Sequence, residues 1–125
     1  MTQWQEELRG ILRRSDASWP KALTESEQFA LYFPMYETAR MWERAGNVEG
    51  ALALYKEILK RFSPTGMLYY ERPAILLERL GRYPEAIAIC ERAIRSIEAK
   101  RWHGDVAAFQ RRLKRLADKS KRMTK

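Results

Sequence analysis

Leu80-Gly81-Arg82-Tyr83-Pro84-Glu85-Ala86-Ile87 ends one helix and begins another. Gly81 is the residue type that tolerates the left-handed backbone with which helices close. Pro84 suits the start of the next helix, where its missing N–H removes no intrahelical bond. Working outward, Leu68 to Leu80 reads as helical, and a further helical pattern runs from Pro84 to about Lys100. The same order of events occurs upstream. Tyr36 to Ala45 is helical, Gly46-Asn47 closes it, and a second helix spans about Val48 to Phe62 with Ala51, Leu52, Tyr55, Ile58, Leu59 and Phe62 on one face. Ser63-Pro64-Thr65-Gly66 breaks the pattern. At an offset of 35, Gly46 matches Gly81, Val48 matches Tyr83, Ala51 matches Ala86, Leu52 matches Ile87, Ile58 matches Ala93 and Leu59 matches Ile94. Periods in this range belong to helical arrays.

The flanks are also helical in pattern. Thr2 and Gln5 have the spacing of a capping box, and Trp4, Leu8, Ile11 and Leu12 line one side of a helix from about Thr2 to Arg14. Ser15, Asp16, Ser18 and Trp19-Pro20 form a connection, because the residue before proline is pushed away from helical geometry. Thr24 and Glu27 offer a second capping box and a turn or two of helix before Pro34, which either kinks a long helix or starts a new one. At the other end Asp105 is the expected N-cap of a last helix carrying Val106, Phe109, Leu113 and Leu116 on one stripe. Each hairpin of an array covers only its neighbour, so these flanking helices are expected to cap the ends.

Composition narrows the function. The chain has 125 residues, 46% of them apolar, enough for one core. Its net charge of +8 lies entirely in residues 100–125, which hold ten Lys or Arg and two Asp or Glu, whereas residues 1–99 hold fourteen of each. No apolar run reaches the length of a secretory signal or a membrane span, which points to a cytoplasmic protein with no membrane partner. Cys90 and His103 are the sole cysteine and histidine, so neither an intramolecular disulfide nor a metal site is expected. Cys90 reads as a small buried hydrophobe, and His103 beside Trp102 as a turn residue with no partner to make it a base. With no phosphate-binding glycine loop and no nucleophile elbow, neither a cofactor nor catalysis is expected.

The repeat resembles the tetratricopeptide family, whose unit is a pair of antiparallel helices about 34 residues long. Residues 80 to 87 are similar to the family's turn and second-helix start. The family's small residues fall on Ala39 and Ala74 in the first helices and on Ala51 and Ala86 in the second, and the later large residue on Tyr55 and Cys90. Its Trp, Leu and Tyr are replaced by Met35, Thr38 and Trp42 in the first copy, and by Tyr70, Pro73 and Leu77 in the second. The resemblance covers about residues 33–99. It implies an all-α fold, a short right-handed helical-hairpin array of the α-solenoid kind in a single domain. The expected parts are an N-terminal capping helix and connection (1–32), repeat one (33–64), repeat two (65–99), and a basic C-terminal capping helix and tail (100–125).

By resemblance, the first helices of the repeats line a groove for a peptide or partner helix. Tyr36, Arg40, Glu43 and Arg44 come from the first copy, and Leu68, Glu71, Ile75, Glu78 and Arg79 from the second. The Lys and Asn of the family's carboxylate clamp are absent, since Tyr36, Arg40, Glu71 and Ile75 stand there. The plain alternative for these positions is a solvated helix face with local charge pairs. A second reading is accessory nucleic-acid binding through Arg111, Arg112, Lys114, Arg115, Lys119, Lys121, Arg122 and Lys125, whose charge density suits phosphates, although no base-stacking aromatic follows Phe109. A third is homo-oligomer formation through incompletely capped ends.

Overall fold

The computed structural model describes residues 2–17 and 23–123. Its helices in chain order are α1 (Gln3–Ala17), α2 (Glu25–Arg44), α3 (Val48–Arg61), α4 (Leu68–Arg79), α5 (Tyr83–Glu98) and α6 (Val106–Met123), with no strand among the described residues. They form two compact units, 1–64 and 65–125. Each unit holds one hairpin, α2 with α3 and α4 with α5, plus one extra helix: α1 touches α3, and α6 packs on α5.

The same device closes both first helices. Gly46 (φ +86°) donates its N–H to the Glu43 carbonyl and Asn47 donates to Trp42; Gly81 (φ +74°) donates to Glu78 and Arg82 to Leu77. These crossed bonds satisfy carbonyls that the helix leaves unpaired, and the positive φ is why glycine stands at both places. The turns are so short that each second helix must fold back along the first. Ala39 and Ala51 in one hairpin, and Ala74 and Ala86 in the other, are fully buried, as close approach of helix axes requires.

Two boundaries differ from the reading of the sequence. Helix α1 continues past Arg14 to Ala17, so Ser15 and Asp16 belong to it; Ser18, Trp19 and Pro20 lie outside the described residues. Helix α2 begins at Glu25 and continues through Pro34 as one long helix, the first of the two alternatives, so its first two turns are part of the hairpin rather than a connection. The Thr24 hydroxyl accepts from the Glu27 N–H at 3.1 Å, and the Glu27 carboxylate accepts from the Thr24 N–H at 3.2 Å, so the helix is nucleated well before the proline. Pro34 has no N–H for the Ala30 carbonyl, but Ala30 is exposed and water can take that place. Pro73 likewise lies within α4.

The core of the first unit comes from Tyr32, Met35 and Ala39 of α2 and from Ala51, Leu52, Leu54, Tyr55, Ile58 and Leu59 of α3. In the second, Tyr70, Ala74, Leu76 and Leu77 of α4 join Ala86, Cys90 and Ala93 of α5 and Phe109 and Leu116 of α6. Asp105 caps α6 by accepting from the Ala108 N–H at 3.0 Å. Trp102 stacks on Tyr70 with ring centroids 5.7 Å apart and donates its indole N–H to the Ser96 hydroxyl. That stack anchors the connection between α5 and α6, and Phe109 meets the same tyrosine edge-on at 6.5 Å.

Candidate functional site

In the first unit, one side of α2 carries a row that the sequence reading saw only in part. Phe29, Phe33, Tyr36, Arg40 and Glu43 follow one another at helical spacing, over about 21 Å of helix. Phe29 is 47% exposed and Phe33 36% exposed, although both are large aromatic residues. Their rings lie 5.1 Å apart, Phe33 and Tyr36 are 6.4 Å apart, and Tyr36 reaches Tyr55 of α3 at 6.0 Å. The ladder ends on a polar lock: the Tyr55 hydroxyl donates to Glu43 Oε1 at 2.9 Å, and Arg40 pairs with the same oxygen at 3.0 Å. Burial, reinforced by the adjacent Glu43 carboxylate, pushes the Tyr55 phenol well above its usual range and keeps it protonated as a donor. Glu43 is therefore largely committed to holding α3, while Arg44 is exposed.

Phe29 and Phe33 were missed because the expected repeat began at residue 33, with Pro34 as an uncertain boundary. The signal that could have found them is the aromatic spacing 29, 33, 36 downstream of the Thr24–Glu27 box. On another side of α2, Ala30, Leu31, Pro34, Met35 and Thr38 form a cleft with Ile11 and Arg14 of α1, about 270 Å³ in volume. Small-molecule pockets run from about 300 to 1,000 Å³, so this cleft is the size of a side chain rather than of a cofactor.

In the second unit the expected groove residues divide. Leu68 and Arg79 are exposed, and Glu71 and Ile75 are half-buried. Glu78 faces α6: Arg115 contacts both its oxygens at 3.0 and 3.1 Å, Lys119 reaches Oε2 at 2.6 Å and Arg112 reaches Oε1 at 3.4 Å. Hydrogen bonding from Arg115 outweighs partial burial and, with help from Lys119, draws the Glu78 carboxyl down to about 2. Glu78 in turn raises the Arg115 pKa. Two sets of residues expected to serve separate ligands thus form one ion cluster, three cations around one carboxylate.

The rest of the basic helix points outward. Arg111, Lys114, Lys121 and Arg122 are exposed, and Lys125 lies outside the described residues. The Cys90 thiol is fully buried and burial pushes it up to about 11, so it stays protonated, and His103 is exposed. Among the described residues no three His, Cys, Asp or Glu side chains are placed to hold a metal ion, and no helix is long and apolar enough to cross a membrane.

A family model described as Tetratricopeptide repeat matches residues 36–100, just over half of the chain. No curated protein and no solved structure matches.

Proposed function

The chain belongs to the tetratricopeptide repeat family, and from that premise we propose that it binds a peptide or helix of a protein partner on the exposed side of its first helices. Repeats of this family are generally protein–protein interaction modules, and proteins built from them are typically non-catalytic scaffolds. The observation that carries the finer reading is the ladder of Phe29, Phe33 and half-buried Tyr36 at helical spacing, whose first two rings are kept in solvent. Large rings left exposed in a row mark recognition surfaces, because they bring contact area at little cost in side-chain entropy. The ladder's preferred ligand is a segment with apolar or proline residues that lie against ring faces. The Arg40–Glu43–Tyr55 lock fixes the floor on which the ligand rests. Helix α4 offers Leu68, Glu71, Ile75 and Arg79 at the corresponding positions of the second repeat.

Selection of peptides from a random display library on the full chain tests this directly. Ligands enriched on the wild type should share apolar or proline positions and should be lost on a Phe29→Ala, Phe33→Ala double variant with unchanged helix content. Recovery of the same ligands on both proteins removes the ladder as the site.

A further inference from the structure

We propose that the outer side of α6 is a docking surface for an acidic segment of a protein partner, and that Glu78 is an internal carboxylate competing for two of its cations. The inference rests on the reading that this chain binds protein, but it concerns a different unit and a different chemistry from the aromatic ladder.

Charge sets the class of ligand. Residues 1–64 hold nine Lys or Arg and nine Asp or Glu, whereas residues 65–125 hold fifteen and seven. The excess in the second unit is concentrated on α6. Arg111, Arg115 and Arg122 fall on one line of that helix with Lys114 beside it, a stripe about 17 Å long. Arg111, Lys114 and Arg122 have no hydrogen-bond or ion-pair partner among the described residues. Arg115 and Lys119 are already ordered by Glu78, yet their side chains remain 48% and 37% exposed. Arg115 spends its Nε and Nη2 on Glu78, and Lys119 one of its three N–H bonds. Both keep donors for an incoming anion. The cluster of three cations and one carboxylate carries a net double positive charge, so Glu78 orients the site without neutralising it.

The pattern favours carboxylates on a protein over a phosphate backbone. Asp118 lies in the middle of the stripe and is exposed. A duplex presents charge continuously, about one every 1.7 Å, and cannot avoid that carboxylate. An acidic peptide with charges three or four residues apart places them on either side of it. The aromatic residues next to α6 are also engaged: Phe109 and Tyr70 are buried, and Trp102 is stacked on Tyr70. They provide no platform for nucleic-acid bases.

The test uses the full chain and fluorescence anisotropy with a labelled peptide carrying Glu at every fourth position, a control with Gln at those positions and a short duplex DNA, at about 50 and about 200 mM salt. The Glu peptide should bind in a salt-sensitive way and the Gln control should not. Neutralising the three unpaired cations (Arg111→Gln, Lys114→Gln, Arg122→Gln) should weaken the peptide about tenfold, each surface pair being worth up to about fivefold. All three are exposed, so folding is not at stake. Glu78→Gln should tighten the peptide about two- to fivefold by releasing Arg115 and Lys119. Equal affinity in wild type and the triple variant overturns the surface, duplex binding tighter than peptide binding overturns the ligand class, and weaker peptide binding by a folded Glu78→Gln protein overturns the competitor role. The Phe29→Ala, Phe33→Ala variant should keep its affinity for the Glu peptide, so failure of this proposal and failure of the ladder are read separately.

Discussion

The two hairpins share a plan and differ in what they show to solvent. Both close the first helix with a left-handed glycine and two crossed hydrogen bonds, and both bury small residues where the helices meet. Yet α2 has twenty residues, is nucleated by a complete capping box and carries exposed aromatic rings, while α4 has twelve, starts at Met67 without a side-chain cap and spends Glu78 on α6. The first unit is neutral by composition and the second carries the whole positive excess. Inward positions and caps decide that a hairpin forms. Outward positions are less constrained: α2 shows an apolar surface, and the second unit shows an ionic one on α6.

The strongest way to break the shared part of that comparison is to overpack it. Ala39→Leu and Ala74→Leu should each cost about 1 to 3 kcal/mol, because both methyls are fully buried and three extra carbons have no space. Chemical denaturation measures this, and an unchanged midpoint in either variant would show that its hairpin tolerates wider helix spacing.

The ionic part predicts an acid limb confined to the second unit. With its carboxyl at about 2 instead of 4.5, Glu78 contributes stability that is complete above 4.5 and lost as pH falls through about 2. Charged hydrogen bonds contribute about 1.5 to 3 kcal/mol, which exposure of Arg115 and Lys119 reduces to about 1 to 2 here. Thermal unfolding of wild type and Glu78→Gln from about pH 5 to about pH 2 should converge at the acid end; a constant gap between the two curves would mean that Glu78 acts through packing alone.

The smallest effects come from the caps. Gly81→Ala should destabilise by about 1 kcal/mol because its φ of +74° disfavours a Cβ. Lys100 ends α5 with φ +60° and the same crossed bonds, Lys100 to Ile97 and Arg101 to Ser96, but without glycine. Lys100→Gly should therefore stabilise the protein by up to about 1 kcal/mol. Melting temperatures shifting in opposite directions would support a common cap, whereas a loss in both variants would show that the Lys100 side chain contributes more than its backbone strain costs.

What the sequence determined by itself was local. Capping boxes act over three residues, glycine closures over four or five, and apolar stripes over successive turns, so Thr24–Glu27, Gly46, Gly81, Asp105 and the face of α6 were legible in order along the chain. The tertiary structure alone decided which polar residues were committed. Tyr55 meets Glu43 across twelve positions and Lys119 meets Glu78 across forty-one, and no helical period signals either pairing. The exposure of Phe29 and Phe33 was hidden for the same reason: an aromatic residue on a helix looks like core until the neighbouring helices have taken their places on the other faces.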